Sequence, residues 1–226
     1  MLEEIIKGNI EKKTITQIYG PPGVGKTNIC ILSVINFAKK GLKVVYIDTE
    51  GSLSVERIKQ ICKDDFEEVL KNVIIYEPSN FEEQTITLEK ILMLENLGLI
   101  VVDGIASLYR LELCDDVNEN TRLNRILGKQ ILTLLKLAKK KNVAILVTNQ
   151  VRNISGNRNE TSNNENRRFS NFEAVGGLLL EYWSKSIIRI EKYDSYREMI
   201  LEKHRYAKEG EKLKFRIVES GVELLG

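Results

Sequence analysis

The chain of 226 residues is poor in the side chains on which much hydrolytic and metal chemistry depends: it has one histidine, three cysteines, one tryptophan and three prolines. A single histidine, His204, argues against His-rich nuclease metal centres and against Ser-His hydrolase triads, and leaves phosphoryl chemistry as the main candidate. Cys30, Cys62 and Cys114 are odd in number and lack metal-ligand spacing, so they read as buried or surface thiols of a reducing compartment. No apolar run reaches the ~18 residues that a membrane span needs. With a polar segment over 1–13, that predicts a cytoplasmic protein without membrane contact. There is no excess charge either. The formal net charge is +2 although Asp, Glu, Lys and Arg make up 29% of the chain, so any contact with nucleic acid has to be local. No repeat and no linker composition divides the sequence, and its length suits one domain over 1–226.

What the chain has is Gly20-Pro21-Pro22-Gly23-Val24-Gly25-Lys26-Thr27, a match to G-x-x-x-x-G-K-[ST]. Its context is the one in which that pattern works. Ile15–Tyr19 runs into it as a short apolar strand, and 28–39 leaves it as a helix with Ile29, Leu32, Val34, Ile35 and Ala38 on its buried side. Glycines let successive backbone N–H groups turn toward phosphate oxygens, Lys26 reaches the outer phosphates, and the Thr27 hydroxyl suits Mg²⁺. The expectation is a nucleoside triphosphate site.

Apolar runs then alternate with helical patterns. Lys43–Asp48, Val73–Tyr76, 99–103 and 143–149 read as buried strands. Segments 55–61, 81–96 and 120–141 read as helices, the second with Ile86, Leu88, Ile91, Leu92 and Leu94 inward. This order predicts an α/β fold, a mostly parallel twisted sheet flanked by helices. The last third differs: 184–191, 196–203 and 214–218 alternate apolar and polar with short connections, as antiparallel strands extending one sheet edge. Between the two styles lies 151–174, with seven asparagines and two phenylalanines, a loop long enough to be functional, disordered or both.

Hydrolysis would need carboxylates beside the phosphates. Asp103 ends the run Leu99-Ile100-Val101-Val102 at a strand's carboxyl edge, the position of a Walker B aspartate that holds Mg²⁺ through water. Glu50, in Asp48-Thr49-Glu50-Gly51, sits at another carboxyl strand end; it can orient the attacking water, or it is a solvated strand-end acid. Gln150 ends the strand before the long loop and can hydrogen-bond the γ-phosphate, or it is an ordinary strand-end amide.

The order GPPGVGKTNIC, YIDTEGSLSVERI, LIVVDGIASLYR, VAILVTNQV and then VGG over 175–177 resembles the ATPase core of RecA-type recombinases, most closely the archaeal RadB proteins, relatives of RadA. The resemblance implies a RecA-like P-loop NTPase core with ATP and Mg²⁺ as cofactors. It makes Glu50 the catalytic glutamate, Asp103 the Walker B aspartate, Gln150 the glutamine that couples γ-phosphate to the DNA loops, and Arg57 the arginine that stacks on adenine. It also implies a role in DNA repair and homologous recombination, with a RadA-type recombinase as partner and a Holliday-junction nuclease as a second candidate.

Departures from the pattern shape the expectation. Only about a dozen residues precede the core, where full-length relatives carry a helical DNA-binding domain and a docking phenylalanine; that speaks for at most a homo-oligomer and against a long filament and strand exchange. The first DNA loop, after Tyr109-Arg110, holds Glu112, Asp115, Asp116 and Glu119, which repel phosphate. The second offers Arg152, Arg158, Arg167 and Arg168 interleaved with Phe169 and Phe172, suited to weak, sequence-independent binding of single-stranded DNA; the alternative is a flexible polar loop. Lys203 and Arg205 stand where related ATPases reach a neighbour's γ-phosphate, or at a solvated strand end. Gly104 replaces the serine usual after the Walker B aspartate, a lost hydroxyl that would slow hydrolysis. The expected function is a slow Mg-dependent ATPase accessory to the main recombinase. The rivals are a DNA-stimulated strand-exchange enzyme, a non-hydrolysing ATP-switched module and a KaiC-like signalling ATPase.

Overall fold

Short valine- and isoleucine-rich runs, each about one strand long, set the centre of the molecule. The computed structural model describes residues 2–6, 9–153, 172–174 and 177–225. Its strands are β1 (Ile15–Tyr19), β2 (Lys43–Asp48), β3 (Val73–Tyr76), β4 (Leu97–Asp103), β5 (Ala144–Asn149), β6 (Val151–Asn153), β7 (Phe172–Ala174), β8 (Ser184–Lys192), β9 (Arg197–Lys203), β10 (Lys212–Val218) and β11 (Gly221–Leu225). Nine form one sheet in the order β11-β10-β9-β8-β1-β5-β4-β2-β3, while β6 and β7 pair with each other. From β3 to β8 every pairing is parallel; from β8 to β11 every pairing is antiparallel. The RecA-like α/β expectation, parallel sheet with an antiparallel flank, holds. β8 belongs to both halves, since it runs parallel to β1 and antiparallel to β9.

Period-two alternation divides each central strand between two hydrophobic clusters, one on each face. Val44, Tyr46, Leu99, Val101, Ala144 and Leu146 pack on one face with helices α1 (Leu2–Ile5), α2 (Lys26–Ala38) and α3 (Val55–Cys62). Val45, Ile47, Ile100, Val102, Ile145 and Val147 pack on the other with α5 (Phe81–Ile91), α6 (Ser107–Leu111) and α7 (Val117–Lys141). The remaining helices are α4 (Phe66–Leu70) and α8 (Gly177–Trp183). Among the described residues no helix is long and apolar enough to cross a membrane.

Several sequence expectations need correction. The helix over 81–96 stops at Ile91, and Ile86 faces outward at 42% exposure because the buried stripe is Phe81, Gln84, Leu88 and Ile91. Gln84 and Gln130, from α5 and α7, form a buried amide pair at 2.7 Å that apolar patterning does not register. α2 begins two residues early, at Lys26, and α7 three residues early, at Val117, where Asp116 accepts N–H bonds from Asn118 and Glu119 as N-cap. The polar-looking amino terminus buries Leu2, Ile5, Ile6 and Ile10. β11 was not anticipated. It completes a hairpin with β10 whose turn lies over α3.

Candidate active site

The glycine-rich loop joins the carboxyl end of β1 to α2, and Gly25 is the helix N-cap at φ 100° with no side-chain cap. First-turn N–H groups are thereby left for an anion. A Cβ at Gly25 would lie 2.6 Å from Ile217 Cδ1, so β10 packs directly onto the loop. Lys26 is buried, and its Nζ donates to the carbonyls of Gly20 (2.9 Å) and Pro21 (3.0 Å) and to Gln150 Oε1 (3.2 Å). Burial lowers the Lys26 pKa below the ordinary lysine value, while Glu50 and Asp103 pull it back up.

Parallel register brings Asp48 of β2 level with Asp103 of β4 at the same sheet edge. Asp103 is 1% exposed and gathers hydroxyls: Oδ2 accepts from Thr27 (2.7 Å), Tyr46 (2.7 Å) and Ser52 (3.1 Å), and Oδ1 from Thr148. Burial, then Cys30 and Asp103, raises the Tyr46 phenol well above its usual pKa, so it is a permanent donor. Four hydroxyl donors compensate the cost of a buried carboxylate. Mg²⁺ takes hard oxygen donors and shares one or two carboxylates with phosphate oxygens. Thr27, Ser52 and Asp103 fit that chemistry. Among the described residues no three His, Cys, Asp or Glu side chains gather into a metal cage.

Glu50 lies on the turn after β2. Asp48, itself 2% exposed, shapes that turn by accepting from the N–H of Glu50 (3.1 Å) and of Leu53 (2.8 Å). The Glu50 carboxylate receives Gln150 Nε2 at 3.2 and 3.3 Å and Ser107 Oγ at 2.5 Å. Gln150 therefore bridges Lys26 and Glu50 with its two amide atoms, and β6 starts at the next residue.

Residues 1–223 match the family model described as Rad51. The chain belongs to the Rad51 family. Its relatives include the DNA repair and recombination proteins RadB of Methanococcus maripaludis strain C7, 64% identical across 100% of this chain and 98% of the relative, and of Methanocaldococcus jannaschii, 56% identical across the full length of both. A solved structure described as the RadB recombinase superposes with a TM-score of 0.77 at 31% identity, covering 100% of this chain and 96% of that one. The resemblance to RecA-type recombinases, and within them to RadB, stands, and it puts the chain among DNA repair and recombination proteins.

Against the Rad51-family expectations, the structure brings Lys26, Thr27, Glu50, Asp103 and Gln150 together at one sheet edge. Arg57 is held apart from them: Nε donates to Asn28 Oδ1, and the four remaining N–H groups go to Gln60, Val218, Glu219 and Gly221. All five guanidinium donors are used within the chain. Lys203 donates to the carbonyl of Glu181 and Arg205 pairs with Glu11, both in the same chain. Around the first loop, Asp116 caps α7, Glu119 pairs with Arg122 and Glu112 accepts from Phe81 N–H, so three of its four carboxylates also serve the fold. Arg152 and Phe172 lie on the β6–β7 ladder; Arg158, Arg167, Arg168 and Phe169 lie outside the described residues, as do Val175 and Gly176. Sequence reasoning missed Tyr46, Asp48, Ser52, Ser107 and Thr148. Strand-end position was a usable signal for Asp48 and Thr148; Ser52 and Ser107 reach the site through turns that carry no such mark.

Proposed function

We propose that this chain is a single ATPase domain that binds Mg·ATP, hydrolyses it slowly and assists the main recombinase in homologous recombination and DNA repair. The observation that carries the reading is the chain of contacts from Lys26 through Gln150 to Glu50, beside the Thr27–Asp103 pair. On binding, the triphosphate takes the N–H groups of the loop and the first turn of α2, and Lys26 exchanges its carbonyl partners for phosphate oxygens. Thr27 and Asp103 would hold Mg²⁺, which when bound would neutralise phosphate charge. Glu50 accepts a hydrogen bond from a water and aims it at the γ-phosphorus. A P–O bond forms from that water as the bond to the β-phosphate oxygen breaks; ADP leaves with the electron pair, and the water's proton passes to solvent. Arg57 would stack a face on adenine, its plane set by the β10–β11 turn.

Gln150 gives the site a way to report its state. It contacts Lys26 and Glu50 and directly precedes the β6–β7 ladder that closes the base of 154–171. Nucleotide that draws Lys26 away changes the hold on that base, so the second reading, an ATP-switched module that need not hydrolyse, rests on the same bridge. The loop's arginines and phenylalanines would contact single-stranded DNA weakly and without sequence preference. A RadA-type recombinase, a junction nuclease and a cytoplasmic setting fit this role. Lys203 and Arg205 would act in trans only in a homo-oligomer that breaks their own-chain bonds.

Steady-state ATP turnover with and without single-stranded DNA, against Lys26→Ala and Glu50→Gln, tests the reading. Slow turnover lost in both variants supports it. Turnover that survives Glu50→Gln removes the assigned chemistry, and binding without any turnover leaves the switch.

A further inference from the structure

Gly104 directly follows Asp103, and the structure shows why no side chain fits there. Its backbone is left-handed at φ +88°, and a Cβ there would come within 2.6 Å of Ser107 Oγ, 2.6 Å of Thr49 Oγ1 and 2.8 Å of Glu50 Cγ. The turn that follows closes with Ser107 N–H donating to the Gly104 carbonyl at 2.9 Å. It is braced from β5, where Thr148 Oγ1 accepts the Gly104 N–H (2.8 Å), and from the turn after β2, where Thr49 Oγ1 donates to the Gly104 carbonyl (2.7 Å). The space beside Gly104 is thus filled by the hydroxyl of Ser107, the first residue of α6, which reaches Glu50 Oε1 at 2.5 Å.

We propose that Ser107 is the positioning residue for Glu50, acting with Gln150 to fix the direction of the carboxylate, and that Gly104 is glycine so that this hydroxyl can arrive. This deepens the ATPase reading above and rests on it. Glu50 sits on a turn and has three rotatable side-chain torsions, so an unheld carboxylate would sample directions that do not serve a water on the γ-phosphate. Gln150 Nε2 alone does not fix it, because its contacts at 3.2 and 3.3 Å leave both oxygens equivalent. Ser107 distinguishes them: Oε1 accepts the serine hydroxyl, and Oε2 keeps capacity for water. Gln150 is also the group most exposed to change, since it shares its amide with Lys26. Ser107 shares its hydroxyl with no phosphate-loop residue, so it can hold Glu50 when Gln150 moves.

Single-turnover ATP hydrolysis and separate equilibrium binding of ATP, both with Mg²⁺, read the proposal. Ser107→Ala should lower the hydrolysis rate about tenfold to a hundredfold, the scale of a small misplacement of a catalytic group. ATP affinity and thermal midpoint should stay unchanged. Ser107→Thr, which keeps the hydroxyl, should recover most of the rate. In a Glu50→Gln background, Ser107→Ala should have no further effect, because Ser107 acts only through that carboxylate. A Ser107→Ala rate equal to the parent's, with Glu50→Gln inactive, overturns the positioning role alone. Equal losses in rate and ATP affinity overturn it as well and make Ser107 part of the fold of the site. A Glu50→Gln variant as active as the parent, or a parent without turnover, overturns the ATPase reading and this proposal with it.

Discussion

Two regions of one sheet use the same residue types in opposite ways. At the carboxyl edge of the parallel strands, Lys26, Asp48, Asp103 and Thr148 are buried, and they gather around one place where a ligand can sit. On the antiparallel flank, charges cross between neighbouring strands and pair with one another: Arg189 of β8 with Glu202 of β9 at 2.6 Å, Lys212 of β10 with Glu198 of β9 at 3.0 Å. Parallel strands end together, so their turns converge and point side chains at a shared space. Antiparallel strands return on themselves, so their side chains find partners across the ladder. The flank still reaches the site, through Ile217 against Gly25 and the β10–β11 turn around Arg57.

The sharpest way to break this contrast is to neutralise the centre of the convergent edge. Asp103→Asn should raise the Mg²⁺ concentration needed for half-maximal turnover by about 10–100-fold, the scale seen when groups that orient a metal are lost. A magnesium titration of ATPase rate checks it, and an unchanged midpoint would remove Asp103 from the metal. Next comes the contact between regions. Gly25→Ala puts a side chain at φ 100° and against Ile217, so about 1–3 kcal/mol of strain should appear as a loss of roughly five- to 150-fold in ATP affinity, measured by equilibrium binding.

Arg57→Lys keeps the charge but loses the planar fork, and with it the grip on the carbonyls of Val218, Glu219 and Gly221. Amides of β10 and β11 should exchange with solvent faster, with a stability loss of about 1–2 kcal/mol. Unchanged exchange there would mean that the hairpin is held by Ile217 and its neighbours alone.

The smallest effect is a pH dependence confined to the flank. His204 Nδ1 accepts from the N–H groups of Tyr206 (3.4 Å) and Ala207 (3.0 Å), which requires a neutral ring. Burial lowers its pKa, Arg205 adds to that, and Glu11 opposes it. The unfolded chain binds the proton more readily than the native one. Stability from this group is therefore present above the ordinary histidine range and declines as pH falls through it toward the lowered native value. Urea midpoints between pH 8 and 5 should drop, and His204→Gln should flatten the trend.

Much of this was legible in the sequence. The glycine-rich loop with its flanking strand and helix fixed Lys26 and Thr27, and Asp103, Glu50 and Gln150 could be read because each directly ends, or closely follows, an apolar run that must be a strand. Unbroken apolar runs from Val44 to Ile47 and from Leu99 to Val102 carried the two-sided burial of the sheet. Ile86 misled because an apolar residue one step off a buried stripe looks the same as one on it. Tyr46, Ser52 and Ser107 were invisible since their roles depend on which strands become neighbours and how a turn closes. The five donors of Arg57 were invisible for the same reason: three of their acceptors are carbonyls more than 150 residues away.

The sequence by itself determined local chemistry. It set the strand and helix periods, a loop able to wrap phosphates, and carboxylates placed at strand ends, because each of these depends on residues within a few positions of one another. Only the tertiary structure decided which hydroxyls surround Asp103, that Ser107 rather than residue 104 reaches Glu50, that Gln150 joins Lys26 to Glu50, and that the last hairpin clamps Arg57. Those are matters of strand order and register. They place side chains distant in the chain within hydrogen-bond range, and no local pattern encodes a distance of that kind.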